Sequence, residues 1–347
     1  MGQSAALSGP TQALALDVRR GIDAYLSYVN RNGGVSGRQI LLKSFDDMGD
    51  AGAATANARL LVQREGVVAL IASVGVSSSE AVADVAAATG VPLIAPISGA
   101  ESLRSVNLRH VYNLRASQAR ETQRLAQQLA SMGLTKVAAA YQDDALGREG
   151  AKAFDKACRE AGVQAVLLQR VGSRASEIQV AAKALASVEP KAIVLFATYD
   201  VGTEIIRASR AAGYGAIFMT VSSAGSKALS EVLLEDARGT GMTQVVPFPW
   251  SAGVPLVAQY QRLMLESGFS MKDFSYGSLE GFLAARVAVE GLKRSGRDPS
   301  AAKLAQSLDS LGEYDLGGMR IHYSAQDHSG ANFVDLTVMG PGGRFLK

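Results

Sequence analysis

The chain has one cysteine, Cys158, three histidines and only 6% aromatic residues among its 347 residues. A lone cysteine cannot form a disulfide within the chain, and no CxxC motif is present for metal or redox chemistry. We expect Cys158 to be a small buried or half-buried helix residue. The 35 basic and 32 acidic residues nearly balance, and no Lys/Arg run exceeds a dipeptide. The basic face that marks a nucleic-acid-binding protein is therefore missing, and no nucleic-acid partner is expected.

Long apolar segments are also missing. No run reaches the roughly 18 apolar residues that a membrane-spanning helix needs. The first residues lack the basic region and apolar stretch of a secretion signal. Either the protein acts in the cytoplasm, or the sequence begins after a removed signal. The short first strand favours the second alternative.

The motifs of common α/β enzymes are absent too. The sequence contains no GxGxxG after a strand and no GxxxxGK[ST], and the nearest approach to GxSxG, at residues 75–79, lacks the last glycine. His322 and His328 lie near Asp315 and Asp327 in the sequence, but no third ligand completes a metal pattern. We interpret them as surface histidines of a C-terminal hairpin. We therefore expect a protein that is not an enzyme and holds no metal or cofactor.

The features that are present indicate two domains. The length exceeds that of one typical domain, and 48% hydrophobic residues allow large cores. Strand and helix patterns alternate in two series, which predicts parallel sheets with helices on both faces. After residues 247–250 the alternation stops and helices dominate up to residue 308.

The periodicity predicts the following elements. Helices are expected at 14–31, 51–64, 78–89, 120–132, 147–161, 177–188, 201–212 and 276–294. Strands are expected at 2–7, 39–45, 67–72, 91–95, 136–141, 163–170, 191–196, 216–220, 319–323 and 332–338. Residues 191–196 form a near-continuous apolar run, which is typical of a strand that is buried on both faces.

One segment of the first series has the composition of a carboxylate site. Gly75, Val76, Ser77 and Ser78 follow a predicted strand and open a predicted helix. Glycine lets the backbone approach a ligand, serine supplies hydroxyl groups, and the helix start exposes N–H groups with a partial positive charge. An ordinary serine N-cap explains the same pattern. Both interpretations stay open.

Similar loops follow other strands. Ile97, Ser98 and Gly99 follow the strand at 91–95, and in the second series the equivalent loops carry Leu146, Tyr199 and Ser222. The carboxyl ends of parallel strands lie at one edge of a sheet, where α/β proteins bind ligands. Each loop alone is weak evidence, and their shared position strengthens the hypothesis.

Several stretches together resemble the branched-chain amino-acid-binding family of type I periplasmic binding proteins. The stretches occur in the family's order and cover nearly the whole chain. They are LSGP at 7–10, NxxGGVxGR at 30–38, FDD at 45–47, GVPLI at 90–94, YNLRA at 112–116 and QDD at 142–144.

The resemblance implies two doubly wound α/β lobes joined by three crossovers, which close on a ligand by hinge bending. One lobe would hold residues 1–117 and 250–327, and the other residues 118–249 and 328–347. It also implies a monomeric receptor in the periplasm that delivers a small aliphatic amino acid, such as leucine, isoleucine or valine, to the membrane subunits of an ABC importer. Its carboxylate site would comprise Gly75, Val76, Ser77 and the loop at 97–99.

The resemblance also places Leu14 and Tyr276 in the side-chain pocket. It puts Leu146 where relatives often have a tyrosine, and Tyr199 at an aromatic position that contacts the ligand. One position departs from the family pattern, because Ser222 stands where an acid usually pairs with the ligand's ammonium group. Asp200 and Glu280 are two alternative sources of that acid, although structural or solvated roles are favoured for both. Alternatively the ligand is a carboxylate without an amine, such as a 2-oxo acid or an aromatic acid.

A second class of function remains open from the sequence. The same fold serves as the ligand-sensing domain of signalling or regulatory systems. A repressor is disfavoured, because no helix-turn-helix precedes the first strand.

Overall fold

The computed structural model describes residues 1–9 and 11–347, so that Pro10 of the LSGP turn lies outside the described residues. The chain divides into two compact units. Unit 1 comprises Met1–Ala116 and Val246–Phe333, and unit 2 comprises Ser117–Val245 and Val334–Lys347. The chain therefore passes from one unit to the other three times.

The last two passages differ from the predicted boundaries by several residues. The second passage, from unit 2 back to unit 1, comes before residues 247–250. These residues belong to unit 1, because the rings of Phe248 and Trp250 pack on Tyr276 there. The third follows Phe333, later than the predicted residue 327. Residues 328–333 stay in unit 1 because their backbone is bonded there. The N–H of Asn113 donates to the carbonyl of His328 at 2.9 Å.

The described chain contains the following strands and helices. The strands are β1 Gly2–Ala5, β2 Lys43–Asp46, β3 Leu70–Ile71, β4 Leu93–Ile94, β5 Val111–Tyr112, β6 Lys136–Gln142, β7 Gln164–Val171, β8 Ala192–Phe196, β9 Ile217–Thr220, β10 Gly241–Gln244, β11 Gly312–Asp315, β12 Arg320–Ser324, β13 Asp327–Gly330, β14 Asp335–Met339 and β15 Phe345–Leu346. The α-helices are α1 Gln12–Arg31, α2 Ala51–Gln63, α3 Val76–Thr89, α4 Gln118–Ser131, α5 Ala145–Glu160, α6 Ala175–Ser187, α7 Tyr199–Ala211, α8 Ser226–Leu233, α9 Pro255–Glu266, α10 Tyr276–Arg294 and α11 Ala301–Asp309.

The main sheet of unit 1 has the order β2-β1-β3-β4-β5, and all its paired strands are parallel. The larger sheet of unit 2 contains the parallel strands β7-β6-β8-β9-β10, to which β14 and β15 are added antiparallel. Counted from the first strand of each unit, the parallel part has the order 2-1-3-4-5 in both. That is a doubly wound arrangement, and it confirms the predicted fold class.

The sheet of unit 2 is covered on both faces. Ile193 and Leu195 belong to one buried cluster, with residues of α6, α7 and α8. Val194 and Phe196 belong to another, with residues of α4 and α5. Alternate residues of β8 thus face opposite cores, as the period of two in a strand requires. All five residues of β8 are buried, which confirms the prediction from the apolar run at 191–196.

In unit 1, α1 packs closely against α10 through glycine. A Cβ on Gly281 would lie 1.9 Å from the carbonyl oxygen of Val18, and one on Gly21 would lie 1.7 Å from that of Ser278. Only residues without a side chain allow these two backbones to approach so closely. This contact fixes the start of α10 beside the start of α1.

The predicted elements are largely confirmed, and the differences lie at their ends. The long helix at 276–294 has the predicted bounds, and Cys158 is a buried residue of α5. The helix predicted to start at residue 78 starts at Val76, and the segment 39–45 is a strand only from Lys43. The sequence patterns did not reveal α8. They also did not reveal the strands β5, β10, β11, β13 and β15, each of which has four residues or fewer. Among the described residues, no helix has both the length and the apolar character that a bilayer crossing requires.

Candidate functional site

The candidate residues of unit 1 lie mainly at the carboxyl ends of β3 and β4, two neighbouring strands in the middle of its sheet. Gly75 is the N-cap of α3 and has φ of 92°, a left-handed conformation that favours glycine. No side chain caps the helix from this position. The interpretation of this segment as an ordinary serine N-cap is therefore wrong. The serines lie inside the first turn, and glycine occupies the cap.

The three consecutive serines of this turn have different environments. Ser77 is exposed, whereas Ser78 is 2% exposed and its hydroxyl has no hydrogen-bond partner in the described part of the chain. The Ser79 hydroxyl is engaged within the protein, because it accepts from Ser73 Oγ at 2.9 Å and donates to the Ser73 carbonyl. Ser79 therefore holds the loop together, while Ser77 and Ser78 keep their hydroxyls available.

The loops that follow β3 and β4 are bonded to each other. The N–H of Ile97 donates to the carbonyl of Ser73 at 2.7 Å, and the N–H of Gly75 donates to the carbonyl of Ile97 at 3.2 Å. Ser98 and Gly99 are buried, and the Ser98 hydroxyl accepts from the N–H of Ala100. The structure thus brings the two predicted loops of unit 1 together.

Two strained residues that sequence reasoning missed lie at this edge. Ala72 and Ala95 immediately follow β3 and β4, and their φ values are 50° and 51°. A left-handed conformation costs an alanine roughly 1–2 kcal/mol. Such strain is common at binding sites, where an unusual backbone conformation sets the direction of the residues that follow. No sequence signal reveals it, because alanine gives no indication of a positive φ.

The other two candidates of unit 1 come together through the α1–α10 contact. A Cβ on Gly277 would lie 3.0 Å from Leu14 Cδ1, which places half-buried Leu14 against the first turn of α10. Tyr276 begins that turn and is 5% exposed. The rings of Phe248 and Trp250 lie 6.3 and 5.6 Å from the Tyr276 ring, in edge-to-face geometry. The start of α10 is therefore surrounded by apolar and aromatic surface.

In unit 2, the helix after β6 is capped by its own chain. Asp144 accepts a hydrogen bond from the N–H of Gly147 at 2.8 Å, as an N-cap. Burial raises the pKa of this carboxyl above its ordinary value, although the bond from Gly147 opposes the shift. The predicted Leu146 lies half-buried in this first turn. Because a carboxylate occupies the cap, the start of α5 does not suit an anionic ligand.

The other candidates of unit 2 follow β8 and β9. Tyr199 is half-buried at the start of α7. The neighbouring Asp200 is exposed and accepts a hydrogen bond from Thr198 Oγ1. Ser222 follows β9 and is 8% exposed. These side chains do occupy the carboxyl ends of neighbouring strands.

The main residue that sequence reasoning missed is Glu121. Its side chain is 1% exposed and accepts hydrogen bonds from the Ser222 N–H at 2.9 Å, the Ser222 hydroxyl at 3.0 Å and Thr243 Oγ1 at 2.6 Å. Position 222 itself carries no acid, but the carboxylate of Glu121, a residue of α4, is hydrogen-bonded to Ser222. Glu280, the other suggested replacement, is 4% exposed and lies 3.6 Å from the buried guanidinium of Arg115.

The two histidines considered for a metal site do not form one. No group of three or more potential ligands occurs among residues 1–9 and 11–347. His322 is exposed on β12, as expected. His328 differs from the expected surface histidine, because it stacks on Tyr112 at 4.1 Å and lies 2.9 Å from Asp309. These contacts serve packing in unit 1.

Comparisons with known proteins agree on one family. A family model described as periplasmic binding protein matches residues 1–343. The Leu/Ile/Val-binding protein homolog 3 of Brucella melitensis is 21% identical over 309 residues, which cover 89% of this chain and 82% of that protein. The structure of a possible leucine/isoleucine/valine-binding protein from Rhodopirellula baltica has a TM-score of 0.90 at 26% identity, with 100% and 95% coverage. A substrate-binding periplasmic protein from Ralstonia solanacearum has a TM-score of 0.91 at 27% identity, with 99% and 98% coverage.

Proposed function

Because the chain belongs to the periplasmic binding protein family, in its Leu/Ile/Val-binding branch, we propose that it is the solute receptor of an ABC importer and binds a small aliphatic amino acid such as leucine. Its partners would be the membrane subunits of that importer. Hinge closure of the two units on the ligand, a monomeric state and a periplasmic location belong to the same proposal.

The observation that carries the proposal is the uncapped start of α3. The first N–H groups of a helix have no partner within the helix and carry a partial positive charge. Gly75 supplies no side chain that could cap them, and the buried Ser78 hydroxyl points to a missing partner. A ligand carboxylate provides the acceptors that this turn lacks. Hydrogen bonds to a charged group contribute about 1.5–3 kcal/mol each.

The apolar part of the ligand would contact the start of α10. Leu14 and Tyr276 lie together there, beside the ring of Trp250. Burial of a leucine side chain contributes roughly 1.5–3 kcal/mol. Carboxylate bonds and apolar burial together suit micromolar affinity, which corresponds to about 8 kcal/mol. Leu146, Tyr199 and Ser222 complete the proposed site from unit 2.

Thermal unfolding with a panel of carboxylates tests this function. The panel should contain leucine, isoleucine and valine, their 2-oxo acids, and benzoate. A ligand at 100 times its dissociation constant adds about 2.7 kcal/mol of stability. We expect the largest upward shift with an aliphatic amino acid, and a smaller shift in the Ser78→Ala variant at the same concentration. If no member of the panel shifts the transition, the proposal is wrong.

The same thermal unfolding experiment distinguishes amino acids from carboxylates without an amine. A shift with benzoate or a 2-oxo acid alone would keep the receptor function and replace the amino acid by a carboxylate without an amine. As a matched control for Ser78→Ala, we suggest Ser102→Ala. Ser102 is exposed and its hydroxyl donates to Glu80 Oε1 at 2.6 Å, away from the first turn of α3, so its loss should leave ligand shifts unchanged.

A further inference from the structure

Unit 1 contains a polar cavity beside β5, with a volume of about 210 Å³. One wall is the segment 103–113, which leads into β5 and past its end. The other wall is the segment 325–329 of the β12–β13 hairpin. Pockets for drug-sized ligands have about 300–1,000 Å³, so this cavity suits a smaller molecule. The candidate residues of unit 1 do not line it.

Hydrogen bonds of Asn113 hold the two walls together. Its N–H donates to the His328 carbonyl at 2.9 Å, and its side-chain amide donates to the Leu103 carbonyl at 3.0 Å. Its Oδ1 atom accepts from Arg104 Nη1 at 2.9 Å. The other terminal nitrogen of Arg104 donates to the carbonyl of Arg115 at 2.7 Å. The walls are therefore fixed by a network of which Arg104 is a part.

The ring of His328 is a fixed part of the lining. Its side chain is 10% exposed and stacks on the Tyr112 ring, with 4.1 Å between the ring centroids. Its Nε2 lies 2.9 Å from Asp309 Oδ1, and because an ionised carboxylate only accepts hydrogen bonds, Nε2 carries a proton. The other ring nitrogen, Nδ1, has no hydrogen-bond partner within the described part of the chain. A ring that lines the cavity thus keeps one nitrogen unused.

The charges around the cavity favour an anion. Arg104 and Arg109 contribute two guanidinium groups, against one carboxylate, that of Asp327. Arg109 is exposed and forms no ion pair with the residues that the structure describes. Asp327 Oδ1 accepts from the Ser329 N–H at 2.8 Å, and hydrogen bonds from Ser329 hold the pKa of this carboxyl below its ordinary value. The carboxylate is therefore engaged in its own turn, whereas Arg109 is a cation without a counterion.

We infer that this cavity of unit 1 is a second ligand site, which binds a small oxyanion of the hydrogen phosphate type through Arg109 and His328. A guanidinium group binds such an ion through two parallel N–H donors. Hydrogen phosphate carries acceptor oxygens and also an O–H group, so it can bond to the unused ring nitrogen whether that nitrogen donates or accepts. The site goes beyond the proposed function, because it shares no residue with the proposed carboxylate site.

Equilibrium dialysis of the full chain against radiolabelled inorganic phosphate tests this site. The ionic strength is kept constant with sodium chloride, so that the screening of all surface charges stays the same. We expect one phosphate per chain, with a dissociation constant of about 1 mM or lower.

Unlabelled glycerol 3-phosphate in the same experiment distinguishes two sources of this chemistry. Displacement of the labelled ion supports a site that accepts a phosphate ester. Binding of phosphate without displacement supports a site for the free ion.

Three variants locate the bound ion. Arg109→Gln removes the cation without a counterion and should weaken phosphate binding roughly threefold, the size of a partly exposed charge pair. Asp327→Asn removes the opposing charge and keeps an oxygen for the Ser329 N–H, so it should tighten binding roughly twofold. Arg59→Gln is the matched control. Arg59 is exposed on α2 and does not line the cavity, so its replacement should leave phosphate binding unchanged.

The pattern across these variants decides the inference. Opposite changes in Arg109→Gln and Asp327→Asn, with none in Arg59→Gln, support the site. Equal changes in the two arginine variants would overturn it, because phosphate would then respond to the overall charge or bind elsewhere, such as at the start of α3. Absence of bound phosphate at about 10 mM would also overturn it. Because Arg109 is exposed, its replacement should not prevent folding.

Discussion

The two units share one strand order and differ in the chemistry at the ends of their strands. In unit 1, the helix after β3 starts with an uncapped glycine and serine hydroxyls, which favours an anion. In unit 2, the helix after β6 is capped by Asp144, and Glu121 lies behind Ser222. One unit therefore offers mainly donors and the other mainly acceptors. The same strand order therefore carries different chemistry at the strand ends of each unit.

The packing of the helices that carry Tyr276 and Tyr199 differs as well. In unit 1, α1 and α10 approach so closely that several glycines of the contact leave no room for a methyl group. In unit 2, Gly202 of α7 has no such constraint, since a Cβ there would meet only Leu195 Cδ1 at 3.9 Å. The glycines of α10, which carries Tyr276, are thus packed more closely than Gly202 of α7, which carries Tyr199.

The largest expected effect tests this difference in packing. Gly281→Ala places a methyl group 1.9 Å from the Val18 carbonyl oxygen, so α1 and α10 must separate. We expect the free energy of unfolding to fall by about 3 kcal/mol, at the upper end of typical overpacking costs. Gly202→Ala should raise it by about 0.5–1 kcal/mol, because alanine favours a helix over glycine. Urea unfolding of the two variants checks both values, and equal effects would remove the distinction between α10 and α7.

The next largest effect concerns the donor character of unit 1. Val76→Pro removes the N–H of the first residue of α3 while keeping a residue that is tolerated at this position. We expect leucine to bind roughly 10–100-fold more weakly, since a hydrogen bond to a charged group contributes about 1.5–3 kcal/mol. Calorimetric titration measures the change.

The matched control is Ala51→Pro at the first residue of α2, which Asp50 caps. It should leave the affinity for leucine unchanged. If both proline variants bind leucine as tightly as the original chain, the N–H groups of α3 do not contact the ligand.

The smallest effect concerns the cap in unit 2. Burial raises the pKa of Asp144, so the folded chain holds this proton at a pH where the unfolded chain has released it. Stability is therefore lost as the pH rises from the ordinary carboxyl pKa through the raised value. Asp144→Asn does not titrate, and its stability relative to the original chain should rise with pH across that window.

The neighbouring Asp143 supplies a control of opposite sign. A hydrogen bond from Arg148 holds the pKa of this carboxyl below its ordinary value. Asp143 therefore adds stability that is lost as the pH falls through the lowered value, and Asp143→Asn should be the less stable protein near neutral pH. Urea unfolding between about pH 3 and 7 covers both windows. The same pH slope in both variants would contradict these assignments.

Much of this molecule could be predicted because its signals are local. The alternation of elements, the apolar run of β8 and the Gly75 turn lie within short segments, and they predicted the sheets and the candidate loop. Glu121 could not be found in this way. It is 101 residues from Ser222 and 122 residues from Thr243, and neither helix periodicity nor a motif relates them.

Other details were missed for related reasons. The periodicity predicts a helix start at residue 78, whereas the helix starts at Val76 with Gly75 as its N-cap. The resemblance implies a third chain passage after residue 327, whereas the bond from the Asn113 N–H to the His328 carbonyl ties this segment to unit 1, and no local pattern indicates so distant a bond. The positive φ of Ala72 likewise has no sequence signal.

The central claim is that the start of α3 binds the carboxylate of an aliphatic ligand. Calorimetric titration with leucine and with leucinamide tests it most directly, since the two differ only in the carboxylate and its neutral amide. Charge-assisted hydrogen bonds are roughly twice as strong as neutral ones. We predict that leucinamide binds at least about tenfold more weakly. Equal affinity for the two compounds would contradict the account.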